Sequence, residues 1–250
     1  MVNMPSQADF DTRPPMPTSE YAQTVAGVNV GYDLVFTLAS CFLRALHQPK
    51  LNLLVVGAGG GAEIARFLPD NPGWCLVGVD PSRDMLAQAQ ATVERLGVQE
   101  RVELVRGTVG DLPAGRRFDA ATCLYVLHFL PDDAKLALLR EIAARLRPEA
   151  PVLAASGARV DDRGLRDDVL GAWQQHGERQ GLPAERMAAT IQQLMAQQAG
   201  ATTAEEYVRL LREAGFPRVA PFLSVMGGGM AAWIARPGAA SEERERSDSR

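Results

Sequence analysis

Apolar residues recur along this chain in two alternating rhythms. Short runs rich in apolar residues, the first of them continuous and bounded by glycine, predict buried parallel strands. They are "LNLLVV" over 51–56, "WCLVGVD" over 74–80, "RVELVRG" over 101–107, "FDAATCLYVL" over 118–127 and "PVLAASG" over 151–157. Segments with helical spacing lie between them. "AEIARFL" covers 62–68. In "SRDMLAQAQATVERLG" (82–97), Ser82 caps a stripe of Leu86, Ala89, Val93 and Leu96, and Gly97 stops it. In "DDAKLALLREIAARL" (132–146), Asp132 is the expected cap, with Leu139, Ile142, Ala143 and Leu146 on one face. Strand and helix in strict alternation, with short connections, predict a parallel sheet covered by helices on both faces.

The rhythm breaks after Gly157. Residues 158–202 read as two helices and loops, with Met187, Ile191, Leu194 and Met195 in a stripe at helical spacing. It resumes at "TAEEYVRLLREAGF", where Thr203 and Glu206 form a capping box and Gly215 is the stop. "RVAPFLSVM" (218–226) and "MAAWIAR" (230–236), joined by glycines, predict a closing hairpin. Residues 1–20 are Pro-rich and polar, and 238–250 are a charged tail; both are expected to be disordered. What remains, 21–237, reads as one α/β domain, with a helical cap drawn from 21–47 and 158–202.

Composition narrows the function. A chain of 250 residues, 46% hydrophobic and 22% charged, can bury a core of its own. The net charge of −4 and the lack of a basic run inside the fold argue against nucleic acid as partner. No apolar run approaches the roughly 20 residues of a membrane span, and the N-terminus lacks the apolar core of a signal peptide. A cytoplasmic protein without membrane contact is expected. Cys41, Cys75 and Cys123 sit in apolar sequence with no CxxC pair, and are expected to be buried thiols in a reducing compartment. No ligand set for a metal is offered.

The chemistry concentrates where the first strand ends. Gly57 to Gly61 hold four glycines and one alanine. In a doubly wound sheet this is where ligands bind, and glycine lets them approach the main chain. Gly57, Gly59 and Ala62 fit the dinucleotide fingerprint GxGxx(G/A), and Gly57, Gly59 and Gly61 fit GxGxG. Asp80, ending the second strand, can accept both ribose hydroxyls under either template.

Beyond the glycines, "VDPSRDML", "VELVRGTVGDLP", "FDAATCLYVLHFLPDD", "LLREIAARLRP" and "LLREAGF" follow in order. Together they resemble class I S-adenosylmethionine (SAM)-dependent methyltransferases, in the small-molecule branch, over about residues 50–236. "VGYDLVF" (30–36) and the hairpin are also weakly similar to carboxy-SAM synthases. The resemblance implies a Rossmann-like seven-stranded sheet, mostly parallel, whose last strand runs antiparallel. It implies SAM as cofactor and S-adenosylhomocysteine (SAH) as product. Gly57, Gly59 and Gly61 would meet the methionine part, and Asp80 the ribose. Pro81 and Met85 would lie by the adenine face, Thr108 and Val109 at its edge, and Cys123 and Leu124 under the methionine end. Two positions depart from the family. Val55 stands where an acid is common two residues before the first glycine, and Gly107-Thr108-Val109 replaces a frequent Gly-Asp-Ala. Asp111 is a candidate to supply the missing acid.

Methyl transfer from a sulfonium needs in-line positioning and exclusion of water, plus a base when the acceptor carries a proton. His128, after the fourth strand, is the candidate base. Tyr32, Tyr125, Trp173 and His176 are candidate acceptor contacts, Tyr32 closing over the cofactor and Trp173 and His176 sharing one face of the cap. The (Asp/Asn)-Pro-Pro-(Tyr/Phe) pattern is absent after the fourth strand, which favours a small-molecule acceptor over DNA or RNA. A cap of this kind can also pair two copies as a homodimer. Two other readings stay open: a non-methylating protein of the same fold, including a carboxy-SAM-type enzyme or a binding module, and an NAD(P)-dependent oxidoreductase.

Overall fold

The computed structural model describes residues 11, 30–197, 202–225 and 229–238. Seven strands, β1 (Leu51–Val56), β2 (Trp74–Asp80), β3 (Val102–Arg106), β4 (Ala120–Leu124), β5 (Val152–Gly157), β6 (Arg218–Val225) and β7 (Met230–Arg236), form one sheet in the order β3-β2-β1-β4-β5-β7-β6. Strands β1 to β5 pair in parallel, and β7 lies antiparallel between β5 and β6. The central strands β1 and β4 are buried except at Asn52, as their mostly apolar runs require, whereas the edge strand β6 is exposed or half-buried along its length and tolerates Pro221 beside an irregularity in its pairing.

Side chains alternate across the strands and feed two cores. On one face Leu54, Val79, Cys123 and Trp233 pack under α4 (Asp132–Arg145) and α7 (Ala204–Glu213). On the other, Leu53, Val55, Leu76 and Ala155 pack under α1 (Tyr32–Arg44), α2 (Ala62–Phe67) and α3 (Arg83–Leu96). Two caps match the sequence. Ser82 Oγ accepts from Met85 N at 3.1 Å, and the Thr203–Glu206 box is closed from both sides. Gly97 takes a left-handed φ of 66° at the end of α3.

Other expectations need correction. Asp132 is not the cap of α4. Pro131 holds that position, and the Asp132 carboxylate accepts from Lys135 Nζ at 2.8 Å and from Thr202 Oγ1 at 2.9 Å. The fourth strand ends at Leu124, because Tyr125 turns the chain with a left-handed φ of 62°. Cys41 and Cys75 are exposed, and only Cys123 is buried. Helices α5 (Arg163–Arg179) and α6 (Ala184–Gln197) pack on each other around Met187, Ile191, Leu170, Trp173 and Leu182. Gly177 makes this possible, since a Cβ there would meet the Met187 sulfur at 2.3 Å. Apart from Asp11, the expected loose segment 1–20 lies outside the described residues; so do the tail beyond Gly238, the side chains of Leu194 and Met195, and most of the hairpin turn. Among the described residues no helix is long and apolar enough to cross a membrane.

Candidate active site

The strand order reverses between β1 and β4, and the carboxyl ends of those strands part around a cavity of about 340 Å³. Its floor is the glycine loop. Gly57 and Ala58 donate to Val79 O at 2.9 and 3.0 Å, which ties the loop to β2. Asp80 continues the tie: Gly59 N donates to Oδ2 at 2.9 Å and Ser82 N to Oδ1 at 2.9 Å. The Asp80 side chain is buried, and loss of solvent raises its pKa above the usual carboxylate value against the pull of those two N–H groups.

The glycines do two jobs. Gly57, at φ 72°, is bare because a Cβ would lie 2.3 Å from Val126 Cγ2. Gly61, at φ 83°, lets α2 pack close to α3, since a Cβ there would lie 3.2 Å from Thr92 Cβ and 3.3 Å from the Ala89 Cα. The segment between them faces the cavity, toward Met85 and Gln88.

An aromatic wall closes one side. Tyr32 and Phe36, from the first turn of α1 onward, meet Tyr125: the two tyrosine rings stack at 5.0 Å between centroids. The left-handed turn at Tyr125 swings its ring onto this face, and its hydroxyl is buried without a hydrogen-bond partner. Arg66 lies over the Phe36 ring at 4.6 Å and is ion-paired with Asp33. Glu63, in the first turn of α2, is 3% exposed and lines the cavity with Oε1 unpartnered. Burial pushes its pKa up to about 8.

Of the residues singled out from sequence, Gly57, Gly59, Gly61, Asp80, Pro81, Met85, Leu124, Tyr32 and Tyr125 line this one cavity. The others do not. Cys123 precedes Leu124 on the same strand, so it faces the opposite core, where burial raises its thiol pKa to about 12. Val109 is fully buried in that same core. Thr108 N and Oγ1 donate to Asp111 Oδ2 at 2.7 and 3.0 Å; that box commits Asp111 to a turn, away from the glycines.

His128 sits on a short turn, Leu127–Phe129. Gly157 N donates to its Nδ1 at 3.4 Å, and Ser156 Oγ lies 3.3 Å from the same atom. Burial, with the charge of Lys135, lowers its pKa to about 4, which makes it a weak base at neutral pH. Trp173 packs between α5 and α6, and His176 borders a separate shallow hollow on α5; neither they nor any other described residue of 158–202 lines the cavity. Sequence reasoning missed Phe36, Glu63, Arg66, Gln88, Thr92 and Arg95, which do line it. One signal was available for Glu63: an acid entering the helix directly after the glycines, in a chain that has Val55 where an acid is common.

Residues 54–152 match the family model described as a methyltransferase domain. A protein from Synechococcus sp. (strain ATCC 27144 / PCC 6301 / SAUG 1402/1), described as uncharacterized, is 30% identical over 151 residues, 59% of this chain and 35% of that protein. The chain thus spans about a third of the length of that curated relative. Solved structures share the fold at low identity. An O-methyltransferase candidate from Nostoc punctiforme PCC 73102 superposes with a TM-score of 0.63 at 18% identity, covering 88% of this chain and 59% of that one. The plantazolicin methyltransferase in complex with a monoazolic desmethylPZN analog and SAH gives 0.63 at 13% identity, over 88% and 89% of the two chains. Magnesium protoporphyrin IX methyltransferase from Synechocystis PCC 6803 with bound SAH gives 0.62 at 16%, over 86% and 87%.

Proposed function

We propose that this chain, which carries a class I methyltransferase domain, is a SAM-dependent methyltransferase for a small-molecule acceptor in the cytoplasm. The observation that carries the reading is convergence: the glycine loop, the buried Asp80 carboxylate and an aromatic wall border one cavity at the switch point of the sheet. The residues suit the cofactor. Each Asp80 oxygen accepts one main-chain N–H and keeps a lone pair for a ribose hydroxyl. Gly59 and Gly60 border the cavity without side chains, so the cofactor's amino-acid chain can lie against the main chain. The plantazolicin and protoporphyrin enzymes, solved with SAH, have the same fold.

SAM supplies a methyl group on a sulfonium, which leaves as a neutral thioether. The protein then has to position the acceptor in line and keep water away, and such positioning supplies about 7–11 kcal/mol in favourable cases. Tyr32, Phe36 and Tyr125 form the apolar surface suited to a flat acceptor. No histidine among the described residues lines the cavity. The exposed free thiols of Cys41 and Cys75 accord with a reducing compartment.

Calorimetric titration with SAH tests the reading. The wild type is expected to bind in the micromolar range, and Asp80→Asn to bind at least about tenfold more weakly, a loss of about 1.4 kcal/mol. Binding then licenses a screen of acceptors with SAM, read by SAH formation. A wild type that ignores SAH and binds NADH instead would sink the proposal.

A further inference from the structure

Glu63 is the anomaly of the cavity. A carboxyl that is 3% exposed normally has a cation or several donors beside it, because an unpaired buried charge is costly. Here Oε1 has no partner. The nearby cation, Arg66, is committed elsewhere, to Asp33 and to the faces of Phe36 and Tyr32. The buried hydroxyl of Tyr125 on the same side of the sheet also lacks a partner, and the Thr122 hydroxyl lies by the Glu63 carboxyl. Thr122 shares the β4 face of Ala120 and Leu124, and Val55 packs in that same core. An acid is common at position 55 in methyltransferases of this class; the carboxylate here comes from α2 instead.

Resting on the SAM reading, we infer that Glu63 takes the place of the acid missing at Val55 and holds the ammonium of the cofactor's amino-acid end, with Tyr125 Oη as a second acceptor. An ammonium brings three N–H donors; once ionised the Glu63 carboxylate only accepts, and the Tyr125 hydroxyl, which can donate or accept, turns a lone pair toward it. The neutral amide Gln88 and the hydroxyl of Thr92 line the cavity too, but Thr92 Oγ1 already donates to Gly60 O at 3.2 Å.

Protonation follows from the same arrangement. The groups that act on Glu63 are its own main-chain N–H and Arg66 on the same helix, Asp80 on β2, Tyr32 on α1, and Thr122, Cys123 and Tyr125 from β4 and its end. In the free protein burial outweighs the attraction of Arg66 and holds the carboxyl protonated up to about pH 8. A cation arriving beside it reverses the balance, so the carboxyl gives its proton to the buffer as the ligand binds.

Three probes separate this role from a structural one: SAH, SAM, and 5′-methylthioadenosine, which lacks the amino-acid part. Each is titrated into wild type and Glu63→Gln at pH 7, in buffers of different ionisation enthalpy. The variant is expected to lose about tenfold or more in affinity for SAH and SAM and to stay within about twofold for 5′-methylthioadenosine. Wild type is expected to release about one proton more than the variant on binding SAH, a difference that cancels the ligand's own protons. Glu63→Met, of similar length and without polar atoms, carries the same expectation as a second variant. Equal losses for all three probes, or none, would overturn the assignment. A loss confined to SAM would place the carboxylate at the sulfonium and overturn it too. A wild type that binds none of the three would instead overturn the SAM reading itself.

Discussion

Gly57 shows how a single missing side chain serves the site. Its φ of 72° and the 2.3 Å gap between a built Cβ and Val126 Cγ2 penalise substitution twice. Gly57→Ala is expected to lower stability by about 1–3 kcal/mol in urea denaturation. Adding Val126→Ala should recover only the steric part, because the backbone strain stays. Full recovery would mean that the left-handed backbone costs nothing here. Glu63 reports differently, through pH. Its native pKa of about 8 lies above the ordinary 4.5, so between those values the native chain binds more protons than the unfolded one, and stability falls as pH rises. His128 acts in the opposite sense, because its native pKa of about 4 lies below the ordinary 6.5; between those values the unfolded chain binds more protons, and stability rises with pH. Above pH 6.5 only Glu63 of this pair still titrates. Urea midpoints of wild type are expected to decline from pH 6.5 to 8, and those of Glu63→Gln to stay flatter. Parallel curves would contradict a buried, protonated Glu63.

At the scale of elements, most of the sheet was legible. Its central strands are mostly apolar runs, and β1 and β2 end at a Gly or an Asp; such runs have few alternatives. Glycine loop, Asp80 and the caps at Ser82 and Thr203 depend on local chemistry, and local chemistry is written in the sequence. What escaped depends on direction and on tertiary contact. Cys123 and Leu124 were assigned to one site although neighbouring strand residues face opposite ways. The turn at Tyr125 has no glycine to announce it, so the strand read three residues too long and His128 was placed at the cleft. The cap divided unexpectedly. Its α1 part borders the cavity through Tyr32 and Phe36, whereas α5 and α6 close a small core of their own. Gly177→Val should therefore force Met187 aside and loosen that helical pair. Limited proteolysis is expected to cut α5–α6 faster in the variant, with SAH affinity unchanged within about twofold. A large loss of affinity would show that the pair acts on the site after all.

The whole molecule then behaves as a sheet with two covers of different kinds. One face is sealed by α4 and α7, tied inward through Ser156 Oγ donating to Tyr207 Oη at 2.9 Å and by Lys135 donating to Asp132 and Thr202. The other carries the cavity, and α1 is its outer wall. A ligand seated there bridges α1, the glycine loop and the turn after β2, beyond the ties through Val79 O and the Asp80 carboxylate. At a concentration a hundred times its Kd, such a ligand adds about 2.7 kcal/mol to the folded state. Hydrogen exchange locates where that stabilisation is felt. With SAH, slower exchange is expected in residues 32–44, 57–66 and 80–88, and unchanged exchange in 163–192, because no described residue of the α5–α6 pair lines the cavity. Protection spreading into 163–192 would mean that the helical pair closes over the bound ligand, and the acceptor would then be chosen by Trp173 and His176 rather than by the aromatic wall of Tyr32, Phe36 and Tyr125.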